Sequence, residues 1–245
     1  MKRLLSFLTV LLLLIPTTVD ASSTKVNNIG ITCQIDQNGT ATFVEKWDMD
    51  VSEGTEGYKI FNGMNDQPLT LIGVTDDRGV TYKNIGTWDS DVSRESKINK
   101  CGLIKDGGHY ELCFGLGDYG TRSYTMIYQI EHFVNQYKDQ QGINYAFISD
   151  MSLGVSNVTI HVTGITPYSK ENAKIWAFGY SGSVNFDNGG VILKTDSLGS
   201  NKMQLLMGLE SNSYASPNKR HAGEKFEDVV KDAKEGSSYS GGMSK

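Results

Sequence analysis

Apolar and polar positions alternate with a period of two through most of the chain. Ile29, Ile31, Cys33 and Ile35 alternate against Thr32 and Gln34, and the run stops at Asp36-Gln37-Asn38-Gly39. Asn-Gly accepts the positive φ angles of a tight hairpin, so a return strand is expected. It is there: Ala41, Phe43, Trp47, Met49 and Val51 share one face, with Thr42, Lys46 and Asp48 on the other. Glu45 breaks the pattern by placing a carboxylate in the apolar register. The glycine-rich stretch from Val51 to Met64 reads as loop. Leu69 to Val74, the turn Asp76-Asp77-Arg78-Gly79 and Val80 to Tyr82 read as a second hairpin. Asp89 to Lys100 is polar enough for an exposed loop, after which Tyr110, Leu112, Phe114 and Leu116 alternate as a strand.

In "TRSYTMIYQIEHFV", from Thr121 to Val134, the even positions Tyr124, Met126, Tyr128, Ile130 and Val134 are apolar and the odd ones mostly polar. That spacing buries one face and leaves the other wet. Arg122 and His132 fall in the inward register. Further strands are expected at Tyr145 to Ile148, Val158 to Val162, Ile175 to Tyr180, Val184 to Phe186, Val191 to Lys194 and Met203 to Leu209. Many short strands separated by glycine and asparagine turns predict an all-β fold, a β-sandwich of antiparallel strands with Ig-like layering. After Pro217, Phe226, Val229, Val230 and Ala233 return at helical spacing, Glu227 and Lys231 form an i,i+4 pair, and Gly236 is placed to end a short amphipathic helix.

Composition agrees with the pattern, since 27 glycines against 4 prolines and 12 tyrosines suit strands and turns better than a helical bundle. Lys2 and Arg3, the apolar run Leu4 to Ile15 and the small-residue site Val19-Asp20-Ala21 predict an export signal over 1–21. The apolar run is shorter than the roughly 18–20 residues that span a bilayer. The expected organisation is therefore signal 1–21, an extracytoplasmic domain 22–215, and a helix with a Gly/Ser-rich tail over 216–245. The net charge of −5 becomes one unit more negative without the signal. Arg78, Arg94, Arg122 and Arg220 are scattered, and nothing resembles the clustered cations that bind nucleic acid or anionic lipid.

Candidate chemistry is sparse. Cys101 and Cys113 lie symmetrically about Gly107 in "CGLIKDGGHYELC", so a hairpin pivoting there would oppose them as a disulfide; three reduced, packed thiols including Cys33 are the other reading. Glu45 and Arg122 each interrupt an apolar register and are expected to be structural partners, because either charge buried alone is costly. His132 reads as a satisfied core or rim residue, and His109, His161 and His221 are dispersed, so no catalytic residue is assigned. HExxH, GxSxG, CxxC and phosphate-cradling glycine loops do not occur. "DMDVSEG" (Asp48, Asp50, Ser52, Glu53) and "DSDVS" (Asp89, Asp91, Ser93) have alternating oxygen ligands but lack the glycine and distal glutamate of a calcium loop, so they read as solvated acidic loops. No metal or cofactor is expected.

The order of "DQNGTATFVEKWDMDV", "LIGVTDDRGVTY", "YGTRSYTMIYQI", "VSNVTIHVTG" and "WAFGYSGSVNFDNGGVILKT" resembles the extracytoplasmic N-terminal domain of the predicted membrane protein family known as domain of unknown function 2207. The resemblance spans roughly Ile29 to Leu209. It implies a bacterial, membrane-associated setting, with this domain outside the cell and transmembrane helices after it. The sequence departs from that pattern in ending at Lys245 without such a helix, as expected of a secreted relative or a fragment. The expected function is a noncatalytic envelope module that binds a protein or wall component. The alternative is a carbohydrate-binding module or envelope enzyme using exposed aromatics such as Trp88 or Tyr119.

Overall fold

The turn after the first strand is held by its own aspartate. One Asp36 carboxylate oxygen accepts the N–H groups of Asn38 and Thr40 at 2.8 and 3.0 Å, and Gly39 lies at φ +81°, where a side chain would be strained. This turn joins β1 (Lys25–Ile35) to β2 (Ala41–Val51). The computed structural model describes residues 24–149, 151, 153–199 and 202–236. The expected export signal and most of the Gly/Ser tail lie outside them.

The remaining strands follow in chain order: β3 (Glu56–Phe61), β4 (Leu69–Asp76), β5 (Lys83–Thr87), β6 (Lys100–Asp106), β7 (His109–Gly115) and β8 (Gly120–Ile130). After them come β9 (Asn135–Gln136), β10 (Gln141–Ile148), β11 (Val155–Thr163), β12 (Ala173–Phe178), β13 (Ser183–Asp187), β14 (Gly190–Thr195) and β15 (Met203–Leu209). Two short helices are present, α1 (Arg94–Lys97) and α2 (Phe226–Glu235). The fold is all-β, as the alternation predicts.

The strands form a seven-stranded sheet, β13-β14-β11-β1-β2-β8-β4, and two four-stranded sheets, β12-β15-β10-β9 and β3-β7-β6-β5. Two pairings, β1 with β11 and β5 with β6, are parallel, so the sheets are mixed rather than wholly antiparallel. Both small sheets cover one face of the large one. On that face Phe43 stacks on Tyr128 with centroids 4.8 Å apart and meets Phe147 of β10 at 6.0 Å, while Trp47 meets Phe114 of β7 at 6.4 Å. The opposite face of β2 carries Val44, which is exposed.

Two stretches expected to be loop contain structure. Within 51–64, β3 buries Gly57, Lys59 and Phe61 on one face. Only glycine fits at 57, because a Cβ there would come within 2.3 Å of the Phe114 ring. Within 89–100, Ser93 caps α1 and Lys97 is buried, its ammonium bonded to Thr55, the Ser90 carbonyl and Glu56. The C-terminal helix forms as expected and Gly236 ends it. Phe226 and Val230 pack on the outer side of the β10–β15 sheet, over Gly142 and Gly208, and Asp139 accepts the Phe226 N–H at 2.8 Å as a cap from outside the helix. Lys231 faces Glu235 at 3.9 Å, rather than the expected Glu227.

The cysteines also depart from expectation. The β6–β7 hairpin turns on Gly107 and Gly108 together, with Asp106 opposite His109, so Cys101 lies opposite Phe114 and Cys113 opposite Gly102. A one-residue offset sends the two side chains to opposite faces of the sheet. All three cysteines are free and buried. Burial pushes the Cys101 thiol up to about 11 and, with the Glu111 and Glu56 charges, that of Cys113 up to about 12.

Alkylation of the unfolded protein without reductant is expected to modify Cys33, Cys101 and Cys113 alike; a bridged Cys101–Cys113 peptide in the mass spectrum would contradict the register. The thiols also set a pH dependence. Their folded pKa values lie above the ordinary 9.0, so the folded state holds protons that the unfolded chain releases. Stability should be complete below pH 9 and decline as pH rises through about 11 to 12. Buried Tyr128 and partly buried Tyr145, raised by desolvation and then by the Glu45 charge, act in the same direction. Urea midpoints that stay level from pH 8.5 to 11 would refute this.

Candidate functional site

Glu45 is fully buried on β2, and both of its oxygens are occupied. Lys59 of β3 donates to them at 2.9 and 2.7 Å, the Trp47 indole N–H donates at 2.7 Å and the Tyr128 hydroxyl at 2.7 Å. The Lys59 ammonium also donates to the Phe147 carbonyl of β10 at 2.8 Å and lies 5.5 Å from the Phe61 ring centroid. One ion pair therefore links all three sheets. The pair itself lines a crevice of about 110 Å³, with Glu53 and Glu56 and the apolar Val26, Met49, Leu116 and Ile148. Burial first, and then the neighbouring Glu45 charge, holds the Tyr128 hydroxyl well above the usual tyrosine range. The cluster is thus a neutral phenol and a closed ion pair with its bonding capacity used internally.

The expected Glu45–Arg122 pair does not form. Met126, not Arg122, faces Glu45 across the β2–β8 ladder, and Arg122 lies four residues further along opposite Met49, roughly 13 Å away at the rise of a strand. Arg122 instead contacts Asp77 at 2.8 Å and Asp76 at 3.3 Å in the turn after β4. Burial raises the Asp76 carboxyl, but the Val80 and Arg78 backbone N–H groups and the Arg78 guanidinium outweigh it and hold the group below the usual range. Lys59 was missed because its segment reads as loop. The signal was "GYKIF", a cation at an inward position that matches the acid in β2.

His132 lies outside the strand, at φ 52° in the turn after Ile130, exposed and 3.3 Å from the Ser216 carbonyl. Asp48 and Asp50 belong to β2 rather than to a loop, and their oxygens accept from Asn28 and Ser123 and from Asn27 and Thr121. Asp89 bonds the Asp91 N–H within a turn. Trp88 is buried. Tyr119 is exposed, but its hydroxyl donates to the Gly54 carbonyl and the Arg94 guanidinium lies 4.4 Å from its ring. Among the described residues the other exposed aromatic ring is Tyr58.

A roomier concavity lies elsewhere, a groove of about 630 Å³ between the β3–Met64 segment, the β9–β10 edge and the chain around Asn218. Asn62, Gln67, Asn135, Asn144 and Asn218 line it with amides, and Tyr137 and Tyr145 with aromatic rings. Its volume falls in the range of small-molecule sites.

The family model described as "Predicted membrane protein (DUF2207) N-terminal domain" matches residues 25–203. The chain belongs to this family. No curated protein matches the sequence. Among solved structures, native yeast LTA4 hydrolase is similar at 6% identity and a TM-score of 0.48, over 76% of this DUF2207 chain and 29% of the hydrolase. An M1 zinc metallopeptidase from Deinococcus radiodurans is similar at 10% identity and a TM-score of 0.40, over 76% and 42% of the two chains. The DUF2207 domain thus spans less than half the length of either enzyme. No helix among its described residues is long and apolar enough to cross a membrane.

Truncating Glu45 to alanine leaves Lys59 charged and buried, and is expected to destabilise by about 3–5 kcal/mol in denaturant titration. The double replacement Glu45→Leu with Lys59→Met should recover most of that loss. If Glu45→Ala unfolds at the wild-type midpoint, the pair does not hold the sheets together.

Proposed function

We propose that this chain is a noncatalytic extracytoplasmic binding module of the bacterial envelope that holds a wall component or protein in the polar groove. The observation that carries the reading is the groove itself. Five amides and two tyrosine rings border one open volume of about 630 Å³, whereas the crevice that the Glu45–Lys59 pair lines holds about 110 Å³, and both Glu45 oxygens there are taken up by Lys59, Trp47 and Tyr128. Amides beside aromatic rings suit hydroxyl-rich units, because an amide carries two donor hydrogens and two acceptor lone pairs, of which Gln67, Asn144 and Asn218 spend only one or two on internal bonds. The N-terminal export pattern and the family's description as a predicted membrane protein support the location.

The protein incubated with purified cell-wall polymer is expected to sediment with it and to leave the polymer length unchanged. Asn144→Ala is expected to weaken retention about tenfold, equivalent to about 1.4 kcal/mol. Release of soluble fragments would make the protein an envelope enzyme. Retention that is indifferent to Asn144 would place binding outside the groove.

A further inference from the structure

The chain is acidic, with a net charge of −5, yet no carboxylate is among the described residues that line the groove. Its ionisable lining consists of Lys202, Arg220 and His221, together with the phenols of Tyr137 and Tyr145. Lys202 and Arg220 are exposed, and neither forms an ion pair with a described residue. Arg220 donates from one guanidinium nitrogen to the Gly63 carbonyl at 3.4 Å, a long bond that leaves most of its donors available. His221 is different. Its ring stacks on Tyr137 with centroids 5.5 Å apart, and its Nδ1 lies 3.2 Å from Glu224, which engages it away from a ligand.

We infer that the groove takes a ligand unit bearing an anionic group flanked by hydroxyls, as in a sugar acid or a polyol phosphate. Lys202 and Arg220 would hold the anion, and the Asn62, Asn135 and Asn144 amides the hydroxyls. This rests on the reading of the groove as the binding site. At the chain's overall frequency of 28 Asp and Glu in 245 residues, about two acids would fall along a lining of this size, and none does. A concave site with one sign of charge concentrates ligands of the opposite sign. Lysine and arginine with donors to spare make charge-assisted hydrogen bonds that are roughly twice as strong as neutral ones. A wholly neutral ligand would leave both cations without use, whereas an anionic one accounts for the two cations, the missing acids and the amide rim together.

The test is a chemical-shift titration of the isotope-labelled full chain with four probes: sodium glucuronate, glycerol 3-phosphate, inorganic phosphate and glucose. Glucuronate or glycerol 3-phosphate is expected to perturb the backbone amides of Asn62, Ala146 and His221 with a millimolar dissociation constant, at least about tenfold tighter than glucose. Arg220→Ala and Lys202→Ala should each weaken that binding several-fold without moving the thermal midpoint, and raising the salt from low to high ionic strength should weaken it further. Preference for glucuronate over glycerol 3-phosphate would identify a carboxylated sugar, and the reverse a phosphodiester or phosphomonoester unit. Inorganic phosphate binding as tightly as either would show an anion hole with no use for hydroxyls and would overturn the inference. Glucose binding equal to glucuronate, unaffected by Arg220→Ala, would overturn the anionic assignment while leaving the groove as the binding site. No perturbation by any anion would also overturn it, and retention on wall polymer would then decide independently whether the chain is a binding module.

Discussion

The architecture depends on a single buried ion pair at the meeting point of three sheets. Glu45 comes from the large sheet, Lys59 from one small sheet, and the Phe147 carbonyl that completes the ammonium's coordination from the other. The hydrophobic driving force is non-directional, so apolar area alone does not single out one placement of the sheets. Charged groups taken out of water do not share that freedom. Any displacement that lengthens these bonds leaves an uncompensated charge in an apolar medium, so the pair fixes the relative position of sheets whose rings supply most of the burial. Trp47 and Tyr128 complete the arrangement by using the remaining acceptor capacity of Glu45.

The period-two pattern made most strands legible, because a strand with one buried face writes that face into alternate residues. It failed where the inward residue was not apolar. In β3 the inward positions are Gly57, Lys59 and Phe61, and two of those three do not look like core. The acid in β2 was visible as an anomaly, but its partner was assigned to the one other charge seen in an apolar register. Arg122 had nearer acids in the Asp76-Asp77 turn, which sequence had already placed as a turn without placing it in space. The cysteine pairing failed by one residue, because a two-glycine turn and a one-glycine pivot differ only in register.

The groove was illegible for another reason. Its walls come from residues 60–67, 135–149, 202 and 218–221, segments brought together only by the docking of the small sheets and the return of the chain to the β9 edge. No spacing rule relates them. The absence of acids along such a lining becomes visible only after folding. The C-terminal segment takes part in this construction, since Asn218 pairs with Asn135 and donates to the Asp66 carbonyl, which ties the tail to two walls of the groove.

The position of β1 has a consequence for how the molecule is assembled. It is the first strand among the described residues, yet it lies in the interior of the seven-stranded sheet, between β2 and the parallel strand β11. For a polypeptide delivered N-terminus first, β1, β2, β8 and β4 can pair early. The free edge of β1 then stays open until Val155–Thr163 arrives more than a hundred residues after it. An unpaired edge carrying Ile29, Ile31 and Cys33 is a template for intermolecular pairing, and long-range parallel closure is slow. Whatever keeps nascent copies apart has to act until β11 is delivered, so the last third of the domain governs when the first strand becomes safe.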